Sequence, residues 1–214
     1  MEDRGDPPSY EHGDSPEGDS ALAESDLEFV LMIDALKQVV RQNPIASGER
    51  RERTAEHSWH VAIAAICLHK HATEEIDLDK AVRLAVIHDL PEVLVGDTFV
   101  YGRQAATRRA REQCAVDDLV GQLSGNAGEL VRESWTEYEY ESTPEGRYVM
   151  ALDVILPVFL NLAAGRNSSW YKHNVSASDV RKRILHIQAA VPRLAEAAMR
   201  AIDSGARQGL LVEG

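Results

Sequence analysis

From Ser25 onward, apolar residues recur at helical intervals, and no segment alternates apolar and polar residues with the β-branched enrichment of a strand. A chain patterned this way buries its apolar stripes helix against helix. It is expected to form an all-α bundle of about six or seven helices. Ser25 is placed to cap a first helix carrying Leu27, Val30, Leu31, Asp34 and Val39 and ending near Asn43-Pro44. Thr54 is placed to cap a second, whose Val61, Ala64, Ala65 and Leu68 share one face. A third begins near Leu78 with Ala81, Leu84 and Ala85 on one face, and Pro91 ends or kinks it. Helical patterns resume over 104–123, 127–140, 145–164 and 178–203, the last kinked at Pro192.

A chain of 214 residues fits one domain. Residues 1–23, rich in Asp, Glu, Gly, Pro and Ser, are expected to be a disordered acidic tail, because they carry too little apolar surface to offset ordering entropy. Residues 24–204 are expected to hold the folded domain, and Gly205–Gly214 a flexible terminus. The net charge of −12 removes the attraction that dominates binding to nucleic-acid polymers, so no such partner is expected. A small phosphorylated molecule remains compatible, since a local cation can outweigh the global field. The longest apolar run, Val61–Leu68, is far short of the ~20 residues of a membrane span, and no membrane partner is expected. Two cysteines make no disulfide framework, no leader pattern is visible, and a cytoplasmic setting is expected.

The informative residues are polar ones on the apolar stripes. His57 lies four before Val61, and His88 lies four after Leu84 with Asp89 beside it. Asp153 lies four after Val149, inside the stripe that continues to Leu160. A lone histidine on such a face is more often a hydrogen-bonded core residue, and spacing by itself leaves that alternative open. Two buried carboxylates, however, need cations or donors. No lysine or arginine lies on the same stripes. Two imidazoles and two carboxylates brought to one point make a divalent-metal site.

The stretches Thr54-Ala-Glu-His-Ser-Trp-His60, Ile87-His-Asp-Leu-Pro-Glu-Val-Leu-Val-Gly-Asp-Thr98 and Ala151-Leu-Asp153, in that order, resemble the HD-domain metal-dependent phosphohydrolase superfamily. The branch they look most like is that of the 5′-deoxynucleotidases. The resemblance runs from about Phe29 to about Arg183. It implies that His57, His88, Asp89 and Asp153 ligate one divalent metal ion (Mn, Co, Fe, Ni, Zn or Mg). It also implies that Glu92 orients or deprotonates the attacking water. Asp97 matches a second acid near the scissile phosphate. Arg41, expected near the end of helix one, matches an arginine that holds the substrate phosphate, with Arg50, Arg51 and Arg53 as rivals for that role.

None of the eight histidines lies between Asp89 and Asp153, which favours a single-metal site over a di-iron oxygenase. His60 is read as supporting the site without ligating, and His173 as reaching the pocket mouth. Three positions depart from the family pattern. Val154 stands where a basic residue is common, Pro91 where an aliphatic one is, and Gln42-Asn43 where an aromatic residue judges the sugar. The implied function is a phosphohydrolase of small phosphate monoesters such as a nucleoside 5′-monophosphate. The alternative is an HD scaffold that keeps its metal and acts as a nucleotide sensor without turnover. A homodimer, with helices 104–140 supplying the surface, is a further expectation.

Overall fold

A computed structural model describes residues 16–102 and 107–213. The chain runs α1 (Pro16–Ile33), β1 (Val40–Pro44), β2 (Arg51–Arg53), α2 (Thr54–Leu68), α3 (Leu78–Ile87), α4 (Glu92–Val95), α5 (Arg108–Val120), α6 (Ala127–Glu139), α7 (Pro144–Ala164), α8 (Ser169–Lys172), α9 (Ala177–Ile187) and α10 (Pro192–Arg207). The fold is all-α apart from one small antiparallel ribbon, β1 with β2. It has more helical segments than the expected six or seven, because prolines divide two of the patterns and α8 adds a short turn capped by Ser168. Pro91 separates α3 from α4, and Pro192 opens α10 as a helix of its own rather than kinking a single one.

The long α7 is the hub and packs against α2, α3, α6, α9 and α10. By length and composition alone Pro144–Asn167 could cross a membrane. Here its apolar residues, among them Val149, Leu152, Ile155 and Val158, form the centre of the core with Leu84, Ile184 and Ile202. Thr143 caps it, its hydroxyl accepting from the Gly146 N–H at 3.2 Å. Gly146 sits where α7 crosses the end of α6, and a Cβ there would lie 2.3 Å from the Glu137 carbonyl oxygen. The stripe expected for α3 is buried as read, and those of α2 and α7 are buried except at Leu68 and Leu156, which are partly exposed.

Four expectations are corrected. Helix α1 begins at Pro16, nine residues before Ser25 and inside the segment 1–23 expected to be disordered; residues 1–15 lie outside those described. Ser25 is not its cap: its hydroxyl donates to the Gln122 carbonyl at the end of α5, while Asp26 accepts from Ser124. The stripe Leu27, Val30 and Leu31 faces solvent, and among the described side chains of α1 Phe29 is the buried one. Finally, the last residues are docked rather than flexible. Val212 bridges to Ser176, its N–H donates to the Val175 carbonyl, and Leu210 and Leu211 are buried.

Candidate metal centre

Two imidazoles converge from α2 and the end of α3, and a carboxylate joins them from α7. His57, His88 and Asp153 each offer a ligand atom within 4.8 Å of the others. His57 Nε2 is 2.8 Å from Asp153 Oδ1, a contact between residues 96 positions apart. His88 Nε2 lies 3.2 Å from Asp89 Oδ2 and 3.9 Å from Asp153 Oδ1. The His88 Nδ1 is held by the Ala85 carbonyl at 2.8 Å, while its Nε2 is buried with no hydrogen-bond partner. The other Asp153 oxygen accepts from the Tyr138 hydroxyl at 2.9 Å. Of the four residues named from the sequence, His57, His88 and Asp153 form this cluster, and Asp89 Oδ2 borders it, 3.8 Å from His57 Nε2.

Arg41 also reaches it, from an element not expected. It lies on β1, not near the end of a helix, and its side chain turns inward. No arginine shares the helical stripes, but the ribbon delivers this one. Arg41 is paired to Asp89, and its guanidinium is 3.8 Å from Glu92 Oε1, 3.8 Å from Asp97 Oδ1, 3.8 Å from Asp153 Oδ1 and 3.9 Å from Glu52 Oε2. The rivals lie elsewhere: Arg50 pairs with Glu56 at an exposed position, Arg51 reaches Gln42, and Arg53 reaches the Lys37 carbonyl.

Glu92 opens α4 after the break at Pro91 and is buried against Thr54, whose hydroxyl donates to its Oε2 at 2.6 Å. Thr54 is thus the first residue of α2 rather than its cap. The position before the helix is Arg53, whose N–H donates to Glu56 at 3.1 Å. Asp97 follows Gly96, which holds φ at 72°, a conformation glycine adopts freely. The Gln42 N–H on β1 donates to Asp97 at 3.2 Å, tying the loop to the ribbon. His60 is not in the cluster; its Nδ1 is 4.0 Å from Glu52 and its ring stacks on Trp59. His173 lies beside the mouth, against Phe99 and 3.2 Å from Gln42 Oε1.

The charges explain the proton affinities. Burial penalises the Asp89 and Asp153 carboxylates, yet the histidines and Arg41 hold both well below the usual range. Burial pushes Glu92 well above its ordinary value, and Asp89 adds to this against the pull of Arg41 and Thr54. Burial and Arg41 favour a neutral His57, but Asp153 and Glu52 outweigh them and hold it at about 9. Five carboxylates thus stand within 4 Å of one guanidinium. Nitrogen and oxygen donors converging on an excess of negative charge suit a first-row divalent ion.

A cavity of about 410 Å³ opens from this cluster. Arg41, Asp89, Glu92, Asp97 and Asp153 line its inner end, and Phe99, Tyr101, Met150, Val158 and Arg183 line its outer walls. That is the size of a small-ligand pocket. Sequence reasoning missed three contributors. Glu52 and Tyr138 touch the cluster directly, and Asn161 braces Asn43 at 3.0 Å. Glu52 lies five before His57, a spacing with no helical signal because Glu52 stands on β2 and His57 on α2.

Comparisons with known proteins agree on the fold and the family. A family model for the HD domain matches residues 33–195. The 5′-deoxynucleotidase HDDC2 of Xenopus laevis is 30% identical over 136 residues, covering 63% of this chain and 66% of that protein. That of Dictyostelium discoideum is 31% identical over 134 residues, covering 59% and 70%. The match thus spans just under two thirds of the Xenopus protein's own length. Among solved structures, a predicted metal-dependent phosphohydrolase from Magnetospirillum magnetotacticum MS-1 superposes with a TM-score of 0.81 at 32% identity, covering 90% of this chain and 99% of that one.

Proposed function

The chain belongs to the HD-domain family, and from that premise we propose that it is a divalent-metal-dependent phosphohydrolase of small phosphate monoesters, with a nucleoside 5′-monophosphate as the best-fitting class. The observation that carries the reading is the cluster of His57, His88 and Asp153 with Asp89 against it, around a buried His88 Nε2 that makes no hydrogen bond, beside a buried Arg41. Those four side chains hold one ion. When bound, such an ion polarises a phosphoryl oxygen and lowers the pKa of water.

The chain's own groups do the rest. Arg41 presents a planar fork to the phosphate oxygens and neutralises charge as the P–O bond breaks. Glu92, held in place by the Thr54 hydroxyl, takes the proton of the attacking water. Asp97, tied to the Gln42 N–H, stands by the leaving oxygen and returns a proton to it. Water and monoester become inorganic phosphate and an alcohol. The outer walls, with Phe99, Tyr101 and Val158, take the apolar part of the substrate. Gln42 and Asn43 occupy the rim where relatives judge the sugar, and Asn43 is committed to Asn161 and Ser169, so strict deoxyribose preference is not expected.

The test is elemental analysis of the purified chain together with phosphate release from a panel of nucleoside monophosphates in Mn²⁺ or Co²⁺. Release with at least one member supports the reading. Bound metal with no release from any substrate favours a sensor.

A further inference from the structure

Both histidines of the cluster send Nε2 inward, so something must hold each Nδ1. For His88 that is the Ala85 carbonyl. For His57 no backbone acceptor is in reach. Its Nδ1 is buried and faces Glu52 Oε2 at 3.3 Å. The same oxygen lies 3.9 Å from Arg41 Nε, which is likewise buried without a hydrogen bond. Glu52 is 3% exposed, too buried to be explained as a solvated surface acid. Its neighbours are His57, Arg41 and, at 4.0 Å, His60.

The ribbon explains how it gets there. Val40 pairs with Arg53, and one step along the two strands Arg41 and Glu52 both turn inward. One carboxylate oxygen therefore stands between a cluster imidazole and the cluster guanidinium. It is the carboxylate that faces both buried donors, so removing it takes away the nearest acceptor of each.

We propose that Glu52 is a positioning residue: it accepts from His57 Nδ1, which fixes the ring with its Nε2 lone pair toward the metal, and it orients Arg41 through Nε toward the substrate phosphate. The inference rests on the metal reading of the cluster. A ligating imidazole held by a carboxylate through its far nitrogen is oriented and made more basic. Here the same carboxylate couples ion binding to phosphate binding, because one group sets the direction of both.

The experiment uses the full chain as wild type, Glu52→Ala, Glu52→Gln and His60→Ala. Zn²⁺ and Mn²⁺ affinities are read by calorimetry. The His57 tautomer is read by ¹⁵N NMR of the Zn²⁺-loaded protein. Glu52→Ala is expected to weaken ion affinity by about 10–100-fold. It is also expected to lose the fixed Nδ1–H form of His57. Glu52→Gln keeps an oxygen for Nδ1–H and so keeps most of the affinity, but it loses the charge facing Arg41. Its KM for a monophosphate is expected to rise, and its kcat/KM to fall, about tenfold while ion affinity is little changed. His60→Ala should leave all three readouts as in wild type. Should Glu52→Ala fail to fold, Glu52→Gln still decides, since wild-type KM there overturns the Arg41 role. Wild-type ion affinity and tautomer in folded Glu52→Ala overturn the His57 role while leaving the metal reading intact. A wild-type chain that binds neither ion overturns both.

Discussion

The Thr54 hydroxyl donates a 2.6 Å hydrogen bond to Glu92 Oε2, joining the first residue of α2 to the first of α4 across 38 positions of sequence. Both groups are buried, so the bond has no water to replace it. Thr54→Val keeps the shape and removes the donor. It is expected to destabilise the fold by about 1–3 kcal/mol, the cost of an unsatisfied buried acceptor. Bound metal should be retained while turnover falls, because Glu92 loses its orientation. Urea unfolding and single-turnover phosphate release check the two halves; unchanged stability sinks the first.

Glu92→Gln preserves volume and the bond from Thr54 but cannot accept a proton. Ion stoichiometry should match wild type, and kcat should fall by about 10²–10⁴-fold. Calorimetry alongside steady-state kinetics measures both, and a rate within threefold of wild type would reassign the base.

A divalent ion that binds only the folded chain raises its stability, by about 2.7 kcal/mol at a hundred times Kd. Thermal melts of wild type with and without Mn²⁺ should show that rise. In His88→Ala and Asp153→Ala the shift should vanish, since each loses a donor from a cluster with few to spare. Equal shifts in all three proteins would place the ion elsewhere.

Behind the site, Glu112 on α5 is buried beside Arg108, which also holds Glu139 through two bonds of 2.9 and 2.8 Å. Burial raises the Glu112 carboxyl to about 8 against the pull of Arg108. A carboxyl raised on folding binds its proton more tightly in the native state than in the unfolded chain. Its contribution is therefore greatest at acid pH and is lost as pH rises through about 8. Glu112→Gln should flatten that part of the stability curve. Urea midpoints between pH 5 and 9 test it, and parallel curves for the two proteins refute it.

Gly146 has no room for a side chain, with the Glu137 carbonyl oxygen 2.3 Å from where a Cβ would stand. Gly146→Ala must push α7 from α6 and should cost about 1–3 kcal/mol. Because α7 carries Asp153, ion affinity should fall with it. Wild-type melting and affinity together would show that the two helices part freely.

The helices and the candidate cluster were legible in the chain because their signals are local. His57 and Val61, or His88 and Leu84, declare a shared face within a turn or two, and a histidine and an acid on such a face stand out from it. Leu27, Val30 and Leu31 misled for the same reason. Local spacing places them on one face of α1, but only packing decides that this face meets solvent while Phe29 meets the core. The ribbon was beyond reach altogether. Strands of five and three residues are too short to establish an alternation, so spacing places Arg41 on a helix and gives no signal at Glu52. Sequence alone determined which side chains could ligate and which elements would carry them. Tertiary structure decided what stands between them: the Arg41 guanidinium among five carboxylates, Glu52 behind His57, and Thr54 on Glu92. Those relations are set by the ribbon's register and by helices crossing far from one another in sequence, and no short window of the chain encodes a distance between its own remote parts.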